Sequence, residues 1–378
     1  MYLSLVVRYD VIIIGGGLAG LTAAIHLRKE GYRILLLEKE PYPHHKVCGE
    51  YLSKEVLPYL SQLGIQLPSN IDITTLEFST RRGRSFQLAL PLGAIGISRF
   101  ALDNFLYKKA LEMGAEVIFS SAEIVEYEED VFTVVNNLKQ SFQARFVIGA
   151  YGKRSHLDKM LTRNFIEKKS PWLAVKAHYH WDAFPEDLVG LHSFEGGYAG
   201  LSKTESGAVN FCYLVTYESF QKTQSIPEFN EQVVARNPYL ASFLKEAEMI
   251  FEKPLSIAQV SFEAKDAVED HMLMCGDAAG LIHPLCGNGM AMAIHSAKIA
   301  SESIHNFLKE GKTNRAEVEK EYRAQWRRNF GSRVRTGRRL QKLLMTPYVT
   351  DVLFSLAIVF PGILKSIIRR THGKPLEV

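Results

Sequence analysis

A glycine-rich turn between a predicted strand and a predicted helix constrains this chain most. Residues 9–14 form a short β-branched run that stops at three consecutive glycines, and an apolar run bounded by glycine is typical of a buried parallel strand. Residues 18–30 then carry apolar side chains at helical spacing, with Gly31 placed to end the helix. Residues 33–37 form a second apolar run. The segment therefore predicts a β-α-β unit with parallel strands and a right-handed crossover.

The residues of this turn suit the pyrophosphate and the ribose of a dinucleotide. Gly15 makes the tight turn, Gly17 lets backbone N–H groups approach a pyrophosphate, and Gly20 lets helix and strand pack closely. The helix N-terminus favours negative charge. Glu38, at the end of the second strand, would accept hydrogen bonds from both ribose hydroxyls. Because strand, turn, helix, strand and acid are all present, the sequence predicts a dinucleotide site.

A second glycine-rich segment lies far along the chain. A short apolar strand at residues 272–275 leads to Gly276 and Asp277, and glycines at 287 and 289 precede a helix predicted from about Met290. Asp277 would hydrogen-bond the hydroxyls of a ribityl chain. The N-terminus of the following helix would stabilise negative charge on a reduced flavin ring.

The rest of the chain predicts a second, β-rich region and a helical end. Residues 75–80 and 85–90 resemble the two strands of a hairpin, and residues 98–113 have helical spacing. Residues 171–260 contain short strand-like runs and a helical patch near 231–248 but no comparable phosphate motif. Further strands are predicted at 117–119, 131–135, 141–148 and 209–215, and helix from 315 onwards.

Composition removes several classes of protein. Of 378 residues, 47% are hydrophobic and 23% are charged, as in ordinary globular proteins. A net charge of +4 is too small to argue for nucleic-acid binding. The four cysteines include no CxxC pair, so neither a disulfide scaffold nor a zinc site is predicted, which suits a reducing cytoplasm. No signal peptide and no apolar run of about 20 residues stand out, so no spanning helix is expected.

The two motifs together identify a resemblance. Gly15–Gly20 with Glu38, followed by Gly276-Asp277 and the segment from Pro284 to Met290, resembles the superfamily of FAD-dependent group A monooxygenases and geranylgeranyl reductases. The segment Lys46-Val-Cys48-Gly49 is similar to the KxCG-type segment of the geranylgeranyl reductase branch, which lies near the flavin. The resemblance implies FAD as the cofactor.

The resemblance also implies which residues serve the cofactor. Arg99 matches an arginine that approaches the FAD pyrophosphate, and Ala122 falls where the family contacts adenine through its backbone. Cys48 is the implied catalytic residue: near the flavin its thiol would donate a proton, although a free cysteine is more often a small packed hydrophobe. The full set of implied cofactor residues is Gly15, Gly17, Leu18, Ala19, Gly20, Glu38, Lys39, Cys48, Gly49, Arg99, Ala122, Gly152, Asp277, Gly287, Asn288, Gly289 and Met290.

Three departures from the family pattern limit what it implies. Tyr151 replaces the acid of a GADG-like segment that the family uses for nicotinamide handling, so NADPH as the electron donor stays open. The segment around Tyr198 keeps only the tyrosine of a YxWxFP-like motif that lines the substrate cavity, so a long polyprenyl substrate is in doubt. The WxWxIP motif of flavin halogenases is missing around Trp172, which disfavours halogenation.

The C-terminal segment has two interpretations. Residues 323–342 contain seven arginines and one lysine without an acid, and residues 352–364 form an uncharged run of thirteen. Basic residues beside an apolar helix suit an interfacial anchor on anionic lipid. The alternative is a helix that packs on the cofactor domain and leaves a solvated basic face.

These observations give one fold and two leading functions. We expect an α/β protein with a glutathione-reductase-type FAD-binding Rossmann domain, a β-rich substrate domain and a helical C-terminal segment. The function is an FAD-dependent oxidoreductase for a hydrophobic small molecule or lipid, reducing a carbon–carbon double bond or, alternatively, hydroxylating as a monooxygenase. A membrane-docking flavoprotein without its own substrate is the hypothesis from another class. A cytoplasmic location is expected, with peripheral contact to the inner face of a membrane as an option. The predicted domains are residues 1–70, 96–165 and 260–312 for FAD, 71–95 and 166–259 for substrate, and 313–378 for the helical segment.

Overall fold

The computed structural model describes residues 7–283, 287–311, 314–344 and 373–377. In chain order its strands are β1 (Val7–Ile14), β2 (Ile34–Glu38), β3 (Tyr51–Ser53), β4 (Ile71–Ser79), β5 (Ser85–Gly96), β6 (Glu116–Phe119), β7 (Ala122–Glu128), β8 (Val131–Asn136), β9 (Ser141–Gly149), β10 (Trp172–His180), β11 (Leu188–Phe194), β12 (Gly197–Lys203), β13 (Val209–Thr216), β14 (Glu248–Met249), β15 (Leu255–Ala258), β16 (Val268–Glu269) and β17 (Met272–Met274). The helices are α1 (Leu18–Lys29), α2 (Leu57–Gln62), α3 (Arg99–Glu112), α4 (Leu157–Met160), α5 (Tyr217–Phe220), α6 (Ile226–Gln232), α7 (Pro238–Glu246), α8 (Gly289–Lys309) and α9 (Arg315–Leu344).

The first sheet has β1 near its centre. β1 pairs in parallel with β2 on one side and with β9 on the other, and β6 and β17 continue the parallel order outwards. β7, β8 and the first half of β9 form an antiparallel meander. The predicted β-α-β unit is confirmed, with Val11 opposite Ile34 and Ile14 opposite Leu37. β1 starts two residues earlier than the sequence predicted, because Val7 and Arg8 pair with β9.

Helices cover this sheet and complete its core. α1 packs against both α3 and α8. The apolar side chains of Tyr9, Val11–Ile14 and Ile34–Leu37 in β1 and β2 are buried. Such continuous burial is what a parallel sheet enclosed by other elements requires. The core therefore sits beneath the carboxyl ends of β1 and β2, where the glycine-rich turn and Glu38 emerge.

The second sheet has two faces with different packing. Its order is β14-β10-β13-β12-β11-β4-β5-β3, with β15 also paired to β10. Leu173, Val175 and Ala177 of β10 face one way, into a core shared with Phe229 of α6 and Phe243 of α7. Trp172 and Ala174 face the other way and pack with Leu281 of the second glycine-rich segment, and Lys176 and His178 on the same face contact Glu50. This alternation lets one sheet build a core and line a site at once.

The C-terminal helix α9 packs on the first core. It buries Tyr322, Trp326 and Phe330, four residues apart, as one apolar stripe. Several of its arginines bond within the protein: Arg323 to Asp266 at 3.2 Å and Arg333 to Glu55 at 2.9 Å. For this part of the chain the packed-helix interpretation therefore agrees with the structure.

The end of the chain tests only part of the predicted helical segment. Residues 373–377 are not helical, and Leu376 is buried in the first core. The apolar run at 352–364 lies outside the described residues. Among those described, no helix combines the length and the apolar character that crossing a bilayer needs.

Candidate flavin site

Two glycines of the first motif stand where no side chain fits. Gly15 has φ of +105°, and a Cβ there would lie 2.5 Å from the Ala150 carbonyl oxygen. A Cβ at Gly20 would lie 1.9 Å from the carbonyl oxygen of Gly15. Both obstacles are backbone atoms, which cannot rotate away. The turn and the helix after it therefore depend on glycine at these positions.

Glu38 closes the turn from the next strand. Its Oε2 accepts a hydrogen bond from the Gly16 N–H at 2.6 Å, and its Oε1 accepts one from the Glu40 N–H at 3.1 Å. The side chain is buried, whereas the neighbouring Lys39 is exposed. Ala122, the first residue of β7, is also buried. The carboxylate thus lies at the end of β2 beside the glycine turn, where the sequence analysis required it.

The start of α1 suits an anion. Its N-cap residue Gly17 has no side chain to bond the free N–H groups, and the first turn, which includes Leu18 and Ala19, contains no acid. The Arg99 guanidinium lies beside it: Nη2 would be 3.6 Å from a Cβ at Gly17. Free N–H donors and a guanidinium on one side of a glycine turn fit the pyrophosphate of FAD.

Arg99 is held in this direction by a residue to which the sequence analysis gave no role. Asp103 accepts from Arg99 Nε at 2.6 Å and Nη2 at 2.7 Å, and Lys46 Nζ lies 3.0 Å from its Oδ2. Burial would raise the pKa of the Asp103 carboxyl, but the charges of Arg99 and Lys46 hold it below its usual value. The spacing i,i+4 between opposite charges on a predicted helix was the signal that would have found it.

The fold brings the second motif against the first. A Cβ at Gly276 would lie 3.3 Å from the Cβ of Ala19 in α1. Asp277 follows in a short 3-10 turn, half-buried, and its carbonyl oxygen accepts a hydrogen bond from Lys265 Nζ at 2.8 Å. The first and second glycine-rich segments thus lie at one site, although they are far apart in sequence.

The remaining residues of the second motif lie at the start of α8. Gly287 has φ of +61°, the left-handed region that favours glycine. The amide of the buried Asn288 is 3.4 Å from Glu55 Oε2. Gly289 opens α8, and Met290 is buried. Pro284 and Cys286 lie outside the described residues.

The loop of residues 46–50 brings Cys48 to this site. The Glu50 N–H lies 3.5 Å from the Sγ of the half-buried Cys48, and Glu50 Oε1 accepts a hydrogen bond from the Arg99 N–H at 2.8 Å. Nothing lies within 4 Å of a Cβ at Gly49, so the loop is open on that side. Cys48, Arg99 and the glycine turn therefore adjoin one another, although they are far apart in sequence.

Behind this loop lies a buried charged cluster that the sequence analysis missed. Glu50 Oε1 is 2.5 Å from Lys176 Nζ and accepts from the Arg99 N–H at 2.8 Å, while Oε2 is 2.7 Å from His178 Nε2. Burial would raise the pKa of Glu50, but Lys176 and His178 keep it below its usual value. Isolated single residues in an apolar strand carry no sequence signal for such a cluster.

One group in the described part of the chain has a metal-like arrangement. Ligand atoms of His45, Glu50 and His178 lie within 4.8 Å of one another. The Lys176 ammonium already neutralises the Glu50 carboxylate, and a second cation beside it would be repelled. The cluster therefore favours an ion pair over a bound metal.

A cavity of mixed character lies between the second sheet and the second motif. It measures about 240 Å³. Aromatic rings of Trp172, Phe194, Tyr198 and His283 line one part of it, and charged residues Arg81, Glu195, Glu218 and Lys222 line another. The His283 ring packs 4.8 Å from that of Phe262, and burial lowers the pKa of His283 to about 3, so the ring is neutral. Val47 of the Cys48 loop packs against the group of apolar side chains that includes Trp172 and Phe262.

Tyr151 takes part in an ion-pair network. Its hydroxyl donates to Asp158 Oδ1 at 3.1 Å, and Arg163 Nη1 lies 3.0 Å from the same oxygen. Burial and the Asp158 charge raise the pKa of Tyr151. Gly152 follows with φ of +86°, which only glycine adopts readily. Tyr151 is therefore a neutral donor where the family pattern has an acid.

Comparison with known proteins decides the family. The sequence profile described as an FAD-binding domain matches residues 8–330. The chain belongs to this family. FAD is accordingly its cofactor, and the protein is an FAD-dependent enzyme of α/β fold, as the sequence predicted.

Two curated relatives cover most of the chain. Digeranylgeranylglycerophospholipid reductase 2 of Methanothermobacter thermautotrophicus is 26% identical over 364 residues, 89% of this chain and 88% of that protein. Conditioned medium factor receptor 1 of Dictyostelium discoideum is 24% identical over 355 residues, 85% of this chain and 68% of that protein.

Several solved structures share the fold. The flavin-dependent brominase Bmp2 has a TM-score of 0.78 at 19% identity, with 96% of this chain and 93% of that chain covered. A geranylgeranyl bacteriochlorophyll reductase-like protein of Thermoplasma acidophilum has 0.77 at 21%, with 97% of each chain covered. The probable FAD-dependent monooxygenase pqsL of Pseudomonas aeruginosa has 0.75 at 17%, covering 92% and 100%. At these identities the likeness concerns the fold alone.

The proposed ribose contact makes a measurable prediction. Glu38→Ala removes the acceptor of the Gly16 N–H and, in our assignment, of the ribose hydroxyls. Because hydrogen bonds to charged groups contribute about 1.5–3 kcal/mol, we expect the Kd for FAD to rise about 10- to 100-fold. Asp277→Ala should also raise the Kd for FAD. Titration of the apoprotein with FAD, followed by flavin fluorescence, measures both.

The exposed neighbour Glu40 supplies the control. Glu40→Ala removes a carboxylate from the same loop and should leave FAD affinity unchanged. Full flavin occupancy in both Glu38→Ala and Asp277→Ala would show that our assignment of these two residues is wrong.

Proposed function

We propose that this FAD-dependent oxidoreductase reduces a carbon–carbon double bond of a hydrophobic small molecule or lipid. The observation that carries the proposal is that the Cys48 loop is joined to α3 beside the glycine turn, through Lys46 to Asp103 and through Glu50 to Arg99, which puts a thiol next to the proposed cofactor site. The digeranylgeranylglycerophospholipid reductase relative acts, by its name, on an unsaturated lipid. We further propose that the two sheets mark the cofactor domain and the substrate domain given above, with the exception of β3, which lies within residues 1–70 but pairs with the second sheet.

The proposed site residues divide the work between binding and proton supply. Glu38 and Asp277 would hold ribose and ribityl hydroxyls, and Arg99 with the start of α1 would neutralise the pyrophosphate. The remaining cofactor contacts are proposed at the residues named in the sequence analysis. Reduced FAD supplies a hydride when bound. The Cys48 thiol would give the proton that the second carbon of the double bond needs.

The cavity favours a substrate with an aromatic or apolar part and a polar end. Trp172 and Tyr198 give it aromatic walls, and the neutral His283 adds no charge there. Its two cations, Arg81 and Lys222, are balanced by Glu195 and Glu218, and Lys222 pairs with Glu195 at 2.6 Å, so the charged part of the wall suits a polar group without selecting an anion. NADPH as the electron donor is not part of the proposal, because Tyr151 stands where the family has an acid.

A monooxygenase is the second candidate, and the cavity size favours it. At about 240 Å³ the cavity is smaller than the range of about 300–1,000 Å³ typical of ligand sites, which suits a compact aromatic compound. The two functions can be distinguished by reducing the flavin without oxygen and then mixing the reduced protein with the lipid or with oxygen. Flavin reoxidation by digeranylgeranylglycerophospholipid without oxygen supports the reductase, whereas reoxidation by oxygen that an aromatic compound accelerates supports hydroxylation.

Cys48→Ala tests the proposed proton donor. The variant keeps the loop backbone but loses the only acidic hydrogen that Cys48 offers. General-acid catalysis contributes typically 10²–10⁴-fold, so we expect lipid-dependent reoxidation to slow by about 100-fold while FAD occupancy stays constant. The buried Cys275, which packs near Tyr322, provides Cys275→Ala as the control. Unchanged turnover in Cys48→Ala would return Cys48 to a packing role.

A further inference from the structure

The Cys48 loop is fastened to the second sheet through its backbone carbonyls. Lys176 Nζ of β10 donates to the Lys46 carbonyl oxygen at 3.1 Å. Asn210 Nδ2 of β13 donates to the Cys48 carbonyl oxygen at 3.2 Å. Lys176 and Asn210 share the face that looks towards the loop, since Lys176 pairs with Cys212 and His178 with Asn210. The strand pairing therefore sets where the loop lies.

Glu50 ends the loop in a strained and fully buried position. Its φ of +53° is unusual for a residue with a side chain. Both Glu50 and Lys176 are 0% exposed, and the Glu50 carboxylate receives three donors, from Lys176, Arg99 and His178. Strain of this kind persists only where surrounding contacts enforce it.

We infer that Lys176 and Glu50 are positioning residues that fix Cys48 against the flavin site, so that the substrate sheet determines where the thiol points. The inference rests on the proposed function for its catalytic meaning, but not for its geometry. Lys176 acts in two ways, because it neutralises Glu50 and also holds the Lys46 carbonyl. The effect of Lys176 on the charge of Glu50 and the effect of its hydrogen bond to the loop can therefore be separated by mutation.

The charged and titratable groups around the pair come from five segments. Arg99 belongs to α3, Lys176 and His178 to β10, and Cys212 to β13. Lys153, after β9, donates to the Val47 carbonyl oxygen at 3.4 Å. His45, Lys46 and Cys48 belong to the loop itself. Burial raises the pKa of Cys212 to about 12, with Cys48 and Glu50 adding to the rise and Lys176 and Lys153 opposing it. Cys212 is thus a protonated thiol at neutral pH and should react only slowly with an alkylating reagent that labels Cys48.

The experiment follows alkylation of Cys48 by iodoacetamide in the FAD-bound protein without substrate, at one pH, with the modified residue identified by mass spectrometry. Lys176→Met and Glu50→Gln each leave one buried charge without its partner, so both should lower the melting temperature. The double variant Glu50→Gln/Lys176→Met has no unpaired charge and should melt higher than either. It still lacks the donor to Lys46, so Cys48 should react about tenfold faster than in the unmodified protein, the effect of losing one hydrogen bond from a charged donor.

Two further variants keep the inference falsifiable. Asn210→Ala removes the neutral donor to the Cys48 carbonyl and should also speed the labelling of Cys48. His192→Gln changes another buried histidine of the second sheet, which bonds Ser79 at 2.8 Å, and should leave labelling unchanged. If the double variant regains stability and Cys48 reacts at the unmodified rate, or if Asn210→Ala has no effect, the inference is wrong. A failed lipid assay with these labelling results intact would overturn the proposed function alone.

Discussion

Gly20→Ala should yield a protein without flavin. A Cβ at this position would lie 1.9 Å from the carbonyl oxygen of Gly15 and 3.2 Å from Ile13 Cγ2. The obstacle is backbone, so α1 must move away from β1, and we expect the free energy of unfolding to fall by about 3 kcal/mol. The glycine turn and the N–H groups that we propose bind the pyrophosphate move with α1. The ratio of flavin to protein absorbance and a thermal melt measure the two losses.

Gly331→Ala is the matched control. Gly331 lies inside α9, and nothing is within 4 Å of a Cβ there. Because alanine is favoured over glycine in a helix, this change should stabilise the protein by about 0.5–1 kcal/mol and leave flavin content unchanged. Normal flavin content in Gly20→Ala would mean that the close approach of α1 to the turn does not govern FAD binding.

Asp103→Asn should cause the second large loss. Asp103 is 1% exposed and is the shared counter-charge of Arg99 and Lys46. Asparagine keeps the shape but leaves two cations without their carboxylate. Breaking a buried ion pair in this way costs about 3–5 kcal/mol, so urea unfolding at neutral pH should show a loss of that size. Arg99 would also lose its fixed direction towards Gly17, and FAD should bind more weakly.

The pH dependence of this loss has a defined sign. The pKa of Asp103 is lower in the folded protein than in the unfolded chain. Its stabilisation is therefore complete above the unfolded value of about 3.9 and disappears as the pH falls through the folded value. The gap between the unmodified protein and Asp103→Asn should shrink below about pH 4. A gap that stays constant with pH would contradict the ion-pair account.

An exposed pair provides the comparison. Lys139 and Glu123 form a surface salt bridge at 2.7 Å between side chains that are 77% and 38% exposed. Solvent screens such a pair, so Glu123→Gln should change stability by less than about 0.5 kcal/mol. A loss as large as that of Asp103→Asn would show that burial is not the cause of the difference.

Local sequence was enough to predict the first motif and its fold. A β-branched run, three glycines, a helical pattern and an acid occur within residues 9–38, and each acts on near neighbours through strand pairing, turn geometry or a helix end. The resemblance then added the residues around Asp277 to this unit and implied FAD as the cofactor. The family match bears out FAD. The individual residue roles stay proposals.

The interior of the site could not be predicted in the same way. Glu50 lies over a hundred positions before Lys176 and His178, yet it meets both because β10 runs behind the Cys48 loop. Lys176 in the apolar run of β10 and His178, two residues later, have no partner nearby in the sequence. No local pattern therefore indicates that they meet Glu50. Nor does local sequence indicate that the ring of the loop residue His45 packs on Phe100 and Phe251 at 4.6 and 4.5 Å.

The sequence by itself determined the β-α-β unit, the glycine positions and the cofactor class, because these depend on backbone conformation and on interactions between residues close in the chain. Tertiary structure alone decided how Arg99 is aimed through Asp103, how the Cys48 loop is fastened to the second sheet, and which side chains wall the cavity. Those features arise from pairing and burial between distant segments. Burial strips water from the charges, so each must find a partner that only the folded chain can bring near.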